Sequence, residues 1–595
     1  MQIPFSVRIA LMFVLCFGAV SCNHTESGHS STNKISPDSL YAQYWEEHAR
    51  LFPLEATASG DNRYNDQMTI TISESFRDSL KRFYTRYQNT ISEADTSNMN
   101  AEQLLSYRLF RYEMEMAING LKFPTHYMPF NQFWGLTLDM GQLGSGSGNQ
   151  PFKTPKDYDN FLKRLSVFPA WCDTAIANMR IGISKGWVLP KTLVVKILPQ
   201  LKAMLVPVEQ STFYGAVKAI PDNFSASEKQ RITAAYRNAI DSVVVPSYRK
   251  LYEFMLGDYM AKARSSSGIM EIPDGKAYYQ NLIKYWTTTD LGPDSIYHLG
   301  EKEVARIEQE MTKVKDETGF KGDLHAFFEY VNKDPRFCPF KTPKEVLDSF
   351  WNIKRTEDPA LKRLFNTVPK TPFTIRQTEA FRAASASAEY NPGSEDGTRP
   401  GIFYVPILDA TKYNAVGMET LFLHEAIPGH HYQISIQQEN KALPKFRRFL
   451  WYGAYGEGWA LYSESLGKEL GLFTNPYQYF GHLSDAMHRA IRLVVDAGLH
   501  SKGMTREQAI EYMMAHEATT YEAAVAEIER YMAIPGQALS YKIGQLAIRA
   551  ERSKYEQQLG ARFNIADFHD QLLNGGCVPL NILSENLKAW AAKLK

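Results

Sequence analysis

The sequence contains little cysteine and almost no net charge. Its 595 residues include five cysteines, and the formal net charge is +1. Balanced charge, without a run of lysine and arginine, gives no indication of a nucleic-acid partner. Cys172, Cys338 and Cys577 are far apart and odd in number, so they allow at most one disulfide and form no cysteine-type metal cluster. We expect three buried thiols.

Long apolar runs are also absent, apart from one near the N-terminus. The apolar segment 9–20 is too short to span a bilayer as a helix and has the length of a signal-peptide core. Cys22 and the small residues before it resemble a bacterial lipobox. We therefore predict a signal peptide over 1–21, lipid on Cys22 and a flexible polar tether over 22–36. The alternative is plain secretion by cleavage near Ser21.

The rest of the chain predicts a mostly α-helical protein with one short strand. Apolar residues recur at three-to-four spacing through 37–370, and a helical pattern returns in the C-terminal part. The segment 401–408 has the pattern of a β-strand. Pro406 has no N–H to donate, which confines the strand to a sheet edge, where an extended peptide could pair with it. A short structural hairpin is the alternative. Tyr404 on this strand is a candidate substrate-binding residue.

The segment 424–431, which reads His-Glu-Ala-Ile-Pro-Gly-His-His, carries most of the chemistry. It looks like a broken His-Glu-x-x-His helix, in which two histidines four residues apart bind zinc and the glutamate is the general base. Position 428, where the second histidine belongs, is a proline. On a regular helix His430 is rotated by about 240° from His424, and His431 lies about 10.5 Å further along the axis. Neither could then share a metal ion with His424.

The proline prevents a regular helix. Pro428 has no N–H for the carbonyl of His424, and its ring clashes there. Gly429 supplies the freedom to take a positive φ. If two residues loop out of the helix, His430 reaches the position of the second ligand. For His431 to reach the same position, three residues would have to loop out. We predict His424 and His430 as metal ligands and His431 as a substrate-binding residue, with His431 as the alternative ligand.

A third ligand is offered by the segment 455–464, which reads Tyr-Gly-Glu-Gly-Trp-Ala-Leu-Tyr-Ser-Glu. Glu457 and Glu464 are seven residues apart and share one helix face among apolar neighbours, an environment that suits two acids only beside a cation. We predict Glu457 as the ligand and Glu464 as a hydrogen-bond partner of a ligand histidine. Two exposed glutamates are the alternative. A His/His/Glu set with an open position indicates one zinc ion per chain.

Further residues are candidates for the chemistry around such an ion. Glu425 directly follows His424 and can act as general base toward the attacking water. The oxyanion needs another donor, for which Tyr541, His500 and Arg492 are candidates. We predict Glu425, Tyr541 and His500 as catalytic and Arg492 as substrate-binding. The Arg–Asp–His spacing of four that ends at His500 is also that of a solvated salt-bridge ladder.

Three motifs together resemble a known bacterial family. They are the run at 424–431, Glu-Gly-Trp-Ala-Leu-Tyr from 457, and Pro-Gly-Gln-Ala-Leu-Ser-Tyr-Lys-Ile-Gly from 535. Over most of 37–595 the chain is similar to the domain of unknown function 885 family, whose members are often predicted lipoproteins. The zinc segment also resembles the gluzincin metallopeptidases of the thimet oligopeptidase and angiotensin-converting enzyme type, with residues inserted before the Gly-His pair.

The resemblance implies a mostly α, two-lobed helical body with a deep cleft, zinc at its floor and a small β-sheet next to the zinc helix. In this arrangement 37–370 forms one side of the cleft and 371–595 is the zinc-binding catalytic region. The resemblance carries over His424, His430 and Glu457 as ligands, with Glu425 as the base.

These features predict a lipid-anchored zinc metallopeptidase in the bacterial cell envelope, facing the periplasm or the exterior. Its partners would be a peptide substrate and, through the lipid, a membrane; the sequence indicates no oligomeric state. One alternative is an envelope lipoprotein that binds peptides without hydrolysing them. Another is a metal-dependent amidase or esterase acting on cell-wall fragments or small molecules. A base beside a metal favours chemistry over binding alone.

Overall fold

The computed structural model describes residues 36–146, 148–378, 383, 387–395 and 399–594. The predicted signal peptide 1–21 and the predicted lipidation site Cys22 lie outside these residues, as does the tether up to residue 35. Within the described ranges, no helix has both the length and the apolar character needed to cross a membrane.

Helices make up most of the chain before residue 370. Their bounds are α1 Pro37–Leu51, α2 Pro53–Ala58, α3 Glu74–Ser92, α4 Ala101–Gly120, α5 Leu136–Gly144, α6 Pro155–Lys185, α7 Lys191–Ala203, α8 Gly215–Lys218, α9 Ala226–Ala239, α10 Val245–Phe254, α11 Gly275–Thr287, α12 Pro293–Glu317, α13 Leu324–Lys333 and α14 Pro343–Leu364.

A small sheet follows, and then helices again to the end. The strands are β1 Phe373–Gln377, β2 Glu389–Asn391 and β3 Gly401–Val405. The helices are α15 Met418–Glu425, α16 His430–Glu439, α17 Lys445–Arg448, α18 Gly453–Glu464, α19 Pro476–Ser501, α20 Arg506–His516, α21 Tyr521–Ala533, α22 Leu539–Leu559, α23 Ile565–Leu573 and α24 Leu580–Lys593. Of the described residues, 68% are helical and 3% are in strands, so the predicted mostly α fold with a small sheet is confirmed.

Capping side chains fix where helices begin. At α4 the side chain of Asn100 accepts the backbone N–H of Gln103, whose own side chain accepts the backbone N–H of Asn100. Asn475 and Gln478 cap α19 in the same reciprocal way. These contacts satisfy N–H groups that have no partner inside the helix. Local sequence therefore sets the start of two helices whose side chains are discussed below.

The order of the sheet corrects one prediction. β3 lies in the centre, parallel to β1 on one side and antiparallel to β2 on the other. The predicted edge position of this strand is therefore wrong. The strand ends at Val405, so Pro406 lies outside the ladder and no N–H is missing from it. A peptide could not pair with β3, because both of its edges are occupied.

The sheet packs beside the helix that leads to the motif at 424–431. Phe373 on β1 lies with its ring centroid 6.5 Å from that of Phe422 on α15, and 4.6 Å from that of His431 on α16. Phe403 on β3 and Phe422 are fully buried. Burial of such rings stabilises the fold by roughly 1.5–3 kcal/mol each. The sheet therefore supports the helices on both sides of the proline.

The core does not divide at residue 370. One cluster of buried side chains joins the N-terminal Tyr41 and Phe110 to Phe422, Trp459 and the C-terminal Leu587. The predicted boundary between 37–370 and 371–595 therefore does not separate two cores.

The three cysteines in the described part of the chain are free thiols. Cys172 and Cys577 are buried, as expected, whereas Cys338 is only half-buried.

Close packing of two glycines brings α18 against α22. A Cβ on Gly544 would lie 1.8 Å from the carbonyl oxygen of Ala454, and one on Gly458 would lie 2.5 Å from Cα of Gly544. Only glycine allows backbones to approach this closely. Because Gly458 directly follows Glu457, this contact fixes the position of the predicted third ligand.

Candidate metal centre

The predicted helix break is present between α15 and α16. α15 ends at Glu425, four residues are non-helical, and α16 begins at His430. Ala426 leaves the helical conformation with φ −107° and ψ −100°, and the Ile427–Pro428 peptide bond is cis. The interruption does what a regular helix could not, because it turns His430 back toward His424.

Gly429 has a different role from the one predicted. Its φ is −72°, so the expected positive φ is wrong. A Cβ at this position would lie 2.0 Å from the carbonyl oxygen of His424 and 2.3 Å from that of Leu423. The chain therefore needs glycine here because it passes directly over the end of α15, and a side chain would block that approach.

Trp459 holds the interruption in place. Its indole Nε1 donates a hydrogen bond of 2.8 Å to the carbonyl oxygen of Pro428. This carbonyl lies in the non-helical segment, and Trp459 is fully buried. The Glu-Gly-Trp motif of α18 thus supplies both a candidate ligand and the anchor of the loop that positions another ligand.

The three predicted ligands converge. Nε2 of His424 lies 3.7 Å from Oε2 of Glu457, and Nε2 of His430 lies 3.4 Å from the same oxygen. One nitrogen or oxygen of each of these three residues lies within 4.8 Å of the others. His424 and His430 are buried, with 5% and 9% exposure, and the side chain of Glu457 is 15% exposed.

These residues fit a zinc ion. Ligands about 2.0–2.2 Å from a shared zinc ion lie about 3.5 Å from one another, close to the distances observed. Oε2 of Glu457 is buried and accepts no hydrogen bond, although it faces both imidazoles. A buried carboxylate oxygen without a donor is costly, and a cation among these ligands would remove that cost. Two histidines and one glutamate form the donor set of catalytic zinc sites.

Glu464 lies behind His424. Its Oε1 is 2.7 Å from Nδ1 of His424, and its side chain is 1% exposed. An ionised carboxylate only accepts hydrogen bonds, so Nδ1 carries the hydrogen and Nε2 is the atom left to face Glu457. Glu464 therefore has the position of a carboxylate that orients a metal-binding histidine.

The electrostatics of the cluster follow from burial and close charges. Burial lowers the pKa of His424, but the close carboxylates of Glu457 and Glu464 outweigh it and raise this pKa to about 10. Burial raises the pKa of Glu457, but the facing imidazoles of His424 and His430 hold it well below the usual value. Glu425 is 7% exposed, and burial raises the pKa of its carboxyl group, which the neighbouring imidazoles partly offset.

With this geometry established, the comparisons with known proteins identify the family. A model of the family described as "bacterial protein of unknown function (DUF885)" matches residues 53–587. The chain belongs to this family. A solved structure from Colwellia psychrerythraea, described as a "putative lipoprotein", is 30% identical with a TM-score of 0.88, and the alignment covers 93% of this chain and 98% of that one. A search of curated protein sequences finds no match.

Two more distant structures limit what the comparison says. A structure from Shewanella oneidensis, described as a "putative lipoprotein of unknown function", is 20% identical with a TM-score of 0.74. The alignment covers 93% of this chain and 99% of that one, and at this identity it shows the fold alone. A carboxypeptidase from Pyrococcus furiosus reaches a TM-score of 0.37 at 9% identity over 94% and 99% of the two chains. That score supports no shared fold, so the resemblance to gluzincins stays a prediction.

His431 does not join the cluster. Its Nδ1 lies 2.8 Å from the hydroxyl of Tyr390 on β2 and 3.4 Å from Oγ of Ser435, and its ring packs against Phe373. It is 2% exposed, and burial lowers its pKa to about 4. In this member of the DUF885 family His431 therefore joins the sheet to α16, and the predicted substrate-binding role has no exposed surface to act through.

His500 has no atom free for a substrate. Its Nδ1 accepts the backbone N–H of Ile269 at 3.1 Å, and its Nε2 lies 3.0 Å from the carbonyl oxygen of Tyr531. The residue is fully buried, and burial lowers its pKa to about 3. The structure therefore does not support the predicted catalytic role, and an uncharged structural histidine is found instead.

The alternative interpretation of this spacing, a solvated Arg–Asp–His salt-bridge ladder, is also absent from α19. Asp496 is fully buried and accepts hydrogen bonds from the hydroxyl of Tyr279 at 2.6 Å and from the backbone N–H of Gly536 at 3.0 Å. Arg492 donates to the hydroxyl of Tyr531 at 3.0 Å and to Glu527 at 3.2 Å. These residues therefore bind neighbouring segments rather than one another, and Asp496 secures the turn that precedes α22.

Arg492 and Tyr541 lie together. The guanidinium carbon of Arg492 is 4.6 Å from the ring centroid of Tyr541, and Nη1 of Arg492 is buried without a hydrogen-bond partner. Nε2 of Gln537 donates to the hydroxyl of Tyr541 at 3.3 Å. Tyr404 is half-buried on the central strand. The roles of Tyr541, Arg492 and Tyr404 toward a substrate stay predictions.

Sequence reasoning missed two aromatic residues of the site. Trp459 stood in a recognised motif, but its bond to Pro428 links segments 31 residues apart and leaves no periodic signal. Trp451 lies with its ring centroid 5.8 Å from that of His430 and is 42% exposed. An exposed tryptophan beside a predicted ligand pair is a signal only once the fold brings the two together.

Proposed function

We propose that the protein is a zinc-dependent peptidase, with His424, His430 and Glu457 as the ligands and Glu425 as the general base. One observation carries the proposal, namely that the ligand atoms of His424, His430 and Glu457 approach within 4.8 Å of one another in a buried setting. Glu425 directly follows a ligand, which is the position that the base takes in His-Glu zinc helices. The carboxylate of Glu464 behind His424 adds support, because a structural salt bridge alone needs no such second acid.

The chain's own groups have separate tasks in this proposal. Glu425 takes a proton from the attacking water and passes it to the leaving amine, a task for which a pKa raised by burial is suited. A zinc ion supplies Lewis-acid chemistry, which polarises the peptide carbonyl and acidifies water near neutral pH. Glu464 orients His424, and Trp459 keeps His430 in place through Pro428.

Tyr541 is the proposed donor to the oxyanion. Its hydroxyl oxygen accepts a hydrogen bond from Gln537, so its own hydrogen is available to donate elsewhere. The cation of Arg492 lies against its ring at 4.6 Å. Donors of this kind stabilise the negative charge that develops on the carbonyl oxygen.

We further propose that the protein is anchored in the cell envelope by lipid on Cys22. The apolar segment 9–20 and the cysteine that follows support this, as do relatives described as lipoproteins. A peptidase anchored there would meet peptides outside the cytoplasm.

Glu425→Gln tests the proposal. The variant keeps the shape of the side chain but cannot accept the proton, so we expect peptide turnover to fall about 10²–10⁴-fold while the zinc content stays unchanged. Cleavage of a mixed peptide library is followed by mass spectrometry, and metal content by elemental analysis. Glu511→Gln, on the exposed face of α20, is the matched control and should behave as the wild type. Equal turnover in Glu425→Gln, or none in the zinc-loaded wild type, would contradict the proposal.

A further inference from the structure

A cavity lies directly beside the candidate metal centre. Its volume is about 480 Å³, and it is bounded by α1, α2, α4 and the segment 446–451 that leads into α18. Ligand pockets in proteins typically measure about 300–1,000 Å³. Trp451 is one of its walls, and the same ring lies 5.8 Å from the ring of the candidate ligand His430. The cavity and the metal centre therefore share a wall.

Aromatic rings form a large part of the walls. Trp45 and Phe449 stack with ring centroids 5.4 Å apart and an angle of 25° between planes. Tyr44, which also lines the cavity, continues this surface. Trp451 is 42% exposed, so part of its side chain is open to a ligand. Such walls take alkyl chains, and the faces of aromatic rings also attract cations.

Two carboxylates give the cavity its charge. Glu113 accepts a hydrogen bond of 2.7 Å from the hydroxyl of Tyr452, and the side chain of Glu55 is 66% exposed. Neither lysine nor arginine occurs among the described residues that line the cavity. His48 is the remaining basic group there, 4.0 Å from Glu55, and burial lowers its pKa to about 4, so it is uncharged near neutral pH.

The acids of this cavity therefore have no cation of their own. Burial raises the pKa of Glu113 to about 7, which the hydrogen bond from Tyr452 partly counters. A positively charged ligand would favour the ionised form of this carboxyl group and would remove the cost of a buried, unpaired charge. An aromatic cavity with uncompensated acids fits an alkyl group that ends in a cation.

Building on the proposed peptidase function, we propose that this cavity is the subsite for an alkylammonium group of the peptide substrate, held by Glu113 and the aromatic walls. Two parts of a peptide carry this chemistry, namely the free amino terminus and the side chain of lysine. Either one, seated past Trp451, would lie next to the metal centre that shares this wall. The substrates are then peptides with a cation close to the bond that is cleaved.

Binding to the zinc-free protein tests the subsite without turnover. The probes are Ala-Ala-Ala with a free amino terminus, its N-acetyl form, N-acetyl-Lys-Ala-Ala and N-acetyl-norleucine-Ala-Ala, measured by calorimetry. We expect at least one ammonium-bearing probe to bind roughly tenfold or more tightly than its uncharged counterpart, as hydrogen bonds to charged groups allow. Loss of binding on acetylation identifies the amino terminus as the group bound, and loss on changing lysine to norleucine identifies the side chain.

Variants show whether the acids are responsible. Glu113→Gln should abolish the difference between charged and uncharged probes, whereas Glu115→Gln, an exposed residue of the same helix, should keep it. Glu55→Gln is a second variant, at an exposed position where a substitution does not disturb folding. It should also reduce the difference in affinity between charged and uncharged probes. Circular dichroism checks the fold of each variant. The subsite would be overturned if the wild type bound charged and uncharged probes equally. It would also be overturned if Glu113→Gln and Glu55→Gln both kept the full preference of the wild type for charged probes.

The outcomes separate this inference from the proposed function. If the wild type prefers ammonium probes but the zinc-loaded protein cleaves no peptide, the subsite stands and the peptidase proposal fails. If peptides are cleaved without any preference for a cation, the peptidase proposal stands and the subsite fails.

Discussion

Replacing Glu464 tests how the candidate ligand His424 is oriented. Oε1 of Glu464 lies 2.7 Å from Nδ1 of His424, and the side chain is 1% exposed, so the bond is shielded from solvent. This bond keeps the hydrogen on Nδ1 and leaves Nε2 to face Glu457. Glu464→Gln keeps the shape and an acceptor oxygen but removes the charge. Glu464→Ala removes the acceptor altogether.

The expected magnitude follows from the bond that is lost. A hydrogen bond to a charged group contributes roughly 2 kcal/mol, about twice a neutral one, so glutamine should lose about 1 kcal/mol. At about 1.4 kcal/mol per factor of ten, zinc affinity should fall roughly fivefold in Glu464→Gln. Alanine leaves the buried Nδ1–H of His424 without an acceptor, and we expect a fall of up to about a hundredfold, the upper range for such partners.

Competition with a chelator of known zinc affinity measures the effect. Glu464 also raises the pKa of His424. The affinities are therefore compared from a pH series, after correction for the proton that zinc displaces. Glu511→Gln, at an exposed position of α20, is the control and should match the wild type. A Glu464→Ala variant that binds zinc as tightly as the wild type would refute the idea that this bond orients the ligand.

Two further predictions concern the same cluster. The carboxylates of Glu457 and Glu464 outweigh the effect of burial and raise the pKa of His424 to about 10. Near neutral pH the residue is therefore protonated, and it must lose about one proton when zinc binds. Calorimetry in buffers of different ionisation enthalpy measures this proton release. Below this pKa, the apparent affinity for zinc should rise about tenfold per pH unit. If no proton were released, the pairing of His424 with the two glutamates would be contradicted. Trp459→Phe leaves the carbonyl of Pro428 unpaired, which should lower the free energy of unfolding by about 1–3 kcal/mol and weaken zinc binding. Chemical denaturation and chelator competition measure both, and unchanged values would show that Trp459 does not hold the break.

Spacing along the chain was enough to predict which residues converge at the candidate metal centre. Pro428 excludes a regular helix, and the number of residues that must loop out favours His430 over His431, as the structure has it. The seven-residue spacing of Glu457 and Glu464 places both on one face of α18, where each meets an imidazole. These are local constraints, so the sequence alone contains them.

Other features depend on which distant segments pack against a strand or a helix face, and the spacing of residues does not specify those segments. The edge position of β3 was inferred from Pro406, but the strand ends one residue earlier and β1 and β2 cover both sides. His500 lies on the predicted helix face, yet the backbone at 269 and 531 occupies both of its nitrogens. One of these partners lies 231 residues away in the chain and the other 31, and no periodicity of the sequence records either of them.

The cavity beside the candidate metal centre shows the same limit. Its walls come from α1, α2, α4 and the segment 446–451, which are separated by up to about 400 residues of sequence. Glu113 reads in the sequence as one of several acids on α4. Only the hydroxyl of Tyr452 and the rings around it distinguish Glu113 from the exposed Glu115.

The zinc content of the wild type and of two histidine variants tests the central claim most directly. Purified without chelator, the wild type should hold about one zinc ion per chain, and His430→Ala should lose it. His431→Ala should keep the ion, because Nδ1 of His431 is 2.8 Å from the hydroxyl of Tyr390, outside the cluster. A wild type without metal, or loss of the ion in His431→Ala alone, would contradict the account.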